Sequence, residues 1–203
     1  MVRASRWHRA AAAIAWVLAV ALVLHFLWIA QLKYSQVDPS AYGMFWSRRG
    51  WLWMHLAGGA LAMVLGALQF IARLRNRWPR IHRWTGRFYL LAMLIGITGA
   101  SGLVATSPAP AAIRIAFAAT GIAWVSTAAA GFVAIRRKRT DVHRRWMIRN
   151  YLVTLAPATF RLALLLPGVM ALASPIVMIP VLLWLSWMLP LLAYEAIRSK
   201  RPG

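Results

Sequence analysis

Six apolar runs constrain this chain more than any other feature. They fall at about 10–30, 50–72, 84–105, 111–135, 146–166 and 174–196, and each approaches the roughly 20 residues that a helix needs to cross a bilayer. They take up nearly all of the 203 residues, so no separate soluble domain is expected. The expected fold is all-α: a single polytopic membrane domain, residues 1–203, built as a bundle of six transmembrane helices.

The net charge of +21 raises the question of nucleic acid, and the placement of the charges answers it. Three arginines precede the first run (Arg3, Arg6, Arg9), and six residues from Arg73 to Arg87 occupy the second connection. Seven Lys/Arg lie between Arg136 and Arg149 in the fourth connection, and three close the chain (Arg198, Lys200, Arg201). The first connection holds Lys33, Arg48 and Arg49, and the fifth holds none. Alternate connections are basic, as the positive-inside rule requires when both termini are cytoplasmic. The charge thus reports topology and contact with anionic headgroups, with no nucleic-acid partner. The first run follows arginines and has no small-residue cleavage site, so it reads as a signal anchor.

Cysteine is absent, which removes disulfides, thiolate chemistry and iron–sulfur ligation. With only Asp38, Asp141 and Glu195 as acids, paired-carboxylate hydrolysis lacks its parts. No phosphate cradle, HExxH motif or nucleophile–base–acid arrangement is present, so no catalytic residue is assigned.

Two sets of polar residues remain. A continuous helix from His143 places Asn150, Thr154 and Arg161 within about 20° of one face, over about 27 Å of axis. Pro157 stands near this seam as a source of bending. A polar stripe of this kind faces protein, water or a ligand, since lipid offers it no hydrogen bonds. Arg161 lies about two-thirds of the way across, and an arginine at a helix centre costs about 2.5–3.5 kcal/mol on an insertion scale. It either snorkels to the outer interface, pairs with Asp38 or, as the sharper alternative, meets an anionic or carbonyl-bearing ligand. The second set is histidine. His25 and His55 lie near the outer face, and His82 and His143 at the inner edge of the third and fifth spans. Two histidines from different helices can ligate the iron of haem b, and Arg83, Arg87, Arg144 and Arg149 are placed to meet its propionates. The alternative for each histidine is a packed or interfacial ring with a hydrogen bond. Gly58, Ala62 and Gly66 line a face of the second span that another helix or a flat ligand can approach closely.

Three segments carry a family resemblance: His55 with Gly58, Gly66, Gln69 and Phe70; Arg80, His82, Arg83, Gly86 and Arg87; and His143, Arg144, Trp146, Met147 and Arg149 followed by Arg161. Together they resemble the bacterial membrane proteins grouped as domain of unknown function 2306, over about three-fifths of the chain. The resemblance implies a multi-pass protein of the bacterial cytoplasmic membrane and supplies no activity. More distantly, the arrangement is similar to two-haem transmembrane b-type cytochromes, from which it departs by having no histidine in the fourth span.

Three functions are therefore expected in competition. The first is a redox-type membrane protein binding haem b or a quinone through His82 and His143, with His55 near an outer site. The second is a binder or transporter of a small molecule, anion or lipid, using Arg161, Asn150 and Thr154. The third is a non-catalytic membrane scaffold.

Overall fold

The computed structural model describes residues 6–200, and among them every regular element is a helix. Arg3 and Arg201, both used in the charge count above, lie outside the described residues. The chain forms two compact units, one ending at Gly43 and the other beginning at Met44.

The first unit holds α1 (Arg6–Tyr34) and the one-turn α2 (Pro39–Tyr42). Asp38 caps α2 by accepting the Ser40 N–H at 2.6 Å, and Pro39 starts it, where a missing N–H costs nothing. That hydrogen bond holds the Asp38 carboxyl below the usual carboxylate range. Tyr42 is buried and donates its hydroxyl to the Tyr34 carbonyl at 3.1 Å. The turn leaves through Gly43 at φ 52°, a conformation that glycine adopts without steric cost. His25 is exposed on α1.

In the second unit a 3-10 turn (Gly43–Arg48) leads into α3 (Arg49–Gln69), then α4 (Ala72–Arg77), α5 (Pro79–Ala105) and α6 (Ala111–Arg136). After these come α7 (Thr140–Thr154), α8 (Ala156–Leu164), a short 3-10 turn and α9 (Pro175–Ser199). Among the described residues, four segments are long and apolar enough to cross a membrane: Pro39–Gln69, Pro79–Ala105, Ala111–Arg136 and Pro175–Ser199. The single helix expected over 146–166 is corrected: the segment is two helices. Pro157 cannot donate to the Val153 carbonyl and its ring crowds that carbonyl. Accordingly α7 ends at Thr154, Leu155 forms the cap, and α8 starts again at Ala156 with Pro157 in its first turn. The third span also begins earlier than expected. Pro79 opens α5 instead of preceding it, so His82 stands in the helix's first turn.

The packing rests on small residues. α3 and α5 approach until backbone meets backbone: a Cβ added to Gly58 would lie 2.6 Å from both the Ala92 oxygen and the Gly96 Cα. One added to Gly99 would collide with the His55 nitrogen and sit 2.6 Å from the Trp51 oxygen. The small face of α3 is thus filled by protein, with Gly66 making room for the rings of Tyr151 and Tyr89. α7 packs on α6, where Gly131 admits Met147, and α8 packs on α9. α9 runs through Pro180 and Pro190. Pro190 leaves the Ser186 carbonyl without its helical donor, and Thr159 of α8 donates to that carbonyl at 2.7 Å.

Arginine closes one end of the unit. Arg48 is only 8% exposed; it donates to the Leu103 carbonyl at 3.3 Å and to Met44. Arg114 donates to the Val104 carbonyl at 3.3 Å. Both arginines thereby serve carbonyls at the C-terminus of α5, where helical donors run out.

Candidate functional site

Opposite that end, the helix termini bring the basic residues and two histidines together. The end of α3 meets the start of α5 through Gln69. Its amide matches donors to acceptors only with its nitrogen toward His82. It then donates to His82 Nδ1 and to the His82 carbonyl, both at 3.1 Å, and accepts from Thr85 Oγ1 and the Gly86 N–H. Because Nδ1 accepts, the proton of the neutral His82 ring sits on Nε2. His143 is held the other way. Its Nδ1 lies 2.8 Å from the Gly131 carbonyl, which can only accept, so Nδ1 carries the proton and Nε2 keeps its lone pair.

His82 and His143 are electrostatic neighbours, with Arg75 and Arg83 beside His82. Both rings are half-buried, and neither Nε2 is among the sealed-off polar atoms of the described residues. In their neutral forms the two rings thus offer one Nε2–H donor on α5 and one Nε2 acceptor on α7.

Ligation of haem iron by this pair needs a lone pair on both Nε2 atoms. His143 supplies one, and His82 does not while Gln69 holds its Nδ1. Of the expected propionate partners, Arg149 is engaged: Glu195 accepts from its Nε at 2.7 Å, and Trp146 and Tyr194 face its guanidinium. Arg87 lies over Trp84, Arg83 is exposed beside His82, and Arg144 lines a groove with α9. The residues as arranged do not fit a bis-histidine haem.

The remaining candidates lie apart. His55 faces α5, its Nδ1 donating to the Gly96 carbonyl at 3.1 Å. Asn150 and Thr154 do share a face of α7, and that face is closed by protein. Asn150 is 0% exposed. Its amide donates to the Trp124 carbonyl at 2.8 Å and to Thr127 Oγ1 at 2.9 Å, and its oxygen accepts from the Tyr89 hydroxyl. Thr154 accepts from Trp124 Nε1 at 2.8 Å. Arg161 falls beyond the break, on α8, so the continuous register that aligned it with His143 does not exist.

Sequence reasoning passed over Tyr89, Trp124 and Thr127, and over the Arg149–Glu195 pair. The pair carried a readable signal, since Glu195 is the only acid in the last apolar run and stands at the same basic end as Arg149. Trp187 packs against the core, and its Nε1 is buried without a hydrogen-bond partner.

Fold, hydropathy and basic helix ends define an all-helical membrane protein. The chain belongs to the family described as Predicted membrane protein (DUF2306), whose model matches residues 52–197. No curated protein and no solved structure matches it.

Proposed function

We propose that the His82–His143 end binds the headgroup of a membrane-soluble quinol, in a protein that crosses the cytoplasmic membrane with its basic end inside. The observation that supports this is the opposed hydrogen bonding of two imidazoles, Nδ1 of His82 facing the Gln69 amide nitrogen and Nδ1 of His143 facing the Gly131 carbonyl. A quinol matches both rings: one oxygen accepts from His82 Nε2–H, and a hydroxyl on the other donates to His143 Nε2. An oxidised quinone has only acceptors and leaves His143 unmatched. One unmatched polar group costs about 1–3 kcal/mol, so the reduced form is expected to bind at least about fivefold more tightly. Alternating basic connections support the orientation, with α7 and α8 together making the fifth of six passes.

The test uses protein in nanodiscs, titrated with a short-chain quinol and the matching quinone by calorimetry. Saturable binding that favours the quinol, with the preference lost in His143→Ala and affinity lost in His82→Ala, is the expected result. Equal binding of both forms by the native protein and by both variants would overturn the reading.

A further inference from the structure

The groove between α7 and α9 has features that the histidine site does not use. It encloses about 430 Å³ at the basic end, between Arg144 and Arg145 on one wall and Arg198 on the other. Ile148, Ile197 and Tyr194 provide its apolar surface, and Asp141 lies at its rim. Its volume falls within the usual range for small-ligand sites. Arg198 is partly committed, its guanidinium 3.0 Å from Glu195. Arg144 and Arg145 are exposed and have no acid partner within salt-bridge distance among the described residues.

Neighbouring walls explain why the groove stays open. Arg149, one turn further along α7, is drawn to Glu195 of α9, and its guanidinium faces Tyr194. This pair ties the two helices together and commits Glu195 to Arg149, leaving Asp141 as the carboxylate in the groove. Two arginines over an aliphatic and aromatic floor match a phosphodiester with a lipid body attached. A free phosphate would use the arginines and leave the isoleucines without a role.

We infer that this groove is a binding site for an anionic phospholipid, with the phosphate on Arg144 and Arg145 and the glycerol region along Ile148 and Ile197. The occupant is a lipid because the cations and the apolar surface occur together, beside the basic end of α9, a helix long and apolar enough to cross a membrane.

The experiment is native mass spectrometry of the full chain, released from mixed phosphatidylglycerol and phosphatidylcholine micelles, with helical content followed in parallel. Arg144→Gln/Arg145→Gln is expected to lose about tenfold in phosphatidylglycerol retention. Arg73→Gln/Arg75→Gln removes equal charge elsewhere and is expected to retain it. Asp141→Asn, which takes a negative charge from the rim, is expected to strengthen retention by about two- to fivefold, as an exposed charge pair allows. Equal losses in the two double variants would reduce the effect to general surface charge and overturn the site. Full displacement by millimolar inorganic phosphate would make it a soluble-anion site and overturn the lipid assignment. Unchanged or weaker retention in Asp141→Asn would also count against it.

Discussion

Gly58→Ala is expected to destabilise the protein by about 3 kcal/mol, at the upper end of the range for overpacking, while Gly59→Ala next to it changes stability by less than about 0.5 kcal/mol. The two residues differ by one position and by everything that surrounds them. A methyl group at Gly58 meets the Ala92 oxygen and the Gly96 Cα at 2.6 Å, and these are backbone atoms that no rotamer change can move. At Gly59 nothing lies within 4 Å of the added carbon. Relief at Gly58 requires α3 and α5 to separate, which would also disturb the hydrogen bond from His55 to the Gly96 carbonyl. Denaturant titration of both variants in the same detergent measures the difference. Equal stability of the two would mean that α3 and α5 are not in backbone contact.

Asn150→Asp should be worse than Asn150→Ala, although it replaces a single atom. The alanine variant removes a fully buried amide and leaves part of its network unsatisfied, a loss of about 2–3 kcal/mol. The aspartate puts an oxygen where Nδ2 now donates to the Trp124 carbonyl and to Thr127 Oγ1. It also brings a buried charge with no cation among its hydrogen-bonding partners, for which about 3–5 kcal/mol is the usual scale. Thermal unfolding of the purified variants ranks them. An aspartate variant as stable as the native protein would show that the region is hydrated and open, as a transport path requires.

How much of this was visible in the sequence follows from the chemistry of each contact. The apolar runs, the basic helix ends and the polar face of α7 are properties of single segments, so spacing reveals them. Asn150 and Thr154 were found that way. Their partners Tyr89, Trp124 and Thr127 come from two other helices, and no local period connects them. His143 is oriented by a carbonyl of Gly131, and a backbone carbonyl leaves no trace in residue identity. The break at Leu155 was half visible: Pro157 marks it, yet proline inside a helix bends or divides it according to packing, as the unbroken α9 shows with Pro180 and Pro190. Arg161 was misaligned because that break resets the register.

The same contacts explain why a histidine count favoured haem. Two histidines at one level are legible, whereas the side-chain amide that selects the protonated nitrogen is seen only once the helices are assembled. Gln69 belonged to the motif without an evident task, and its hydrogen bond to His82 supplies one.

Nitrogen-15 NMR of ring-labelled histidine in the nanodisc-embedded protein reads the opposed protonation of that pair. Single replacements of His82 and His143 assign the signals. A proton is expected on Nε2 of His82 and on Nδ1 of His143, with the His82 signal changing in Gln69→Leu. A proton on Nδ1 of both rings would contradict it, removing the donor that the quinol reading requires and restoring the matched pair of lone pairs that a metal centre needs.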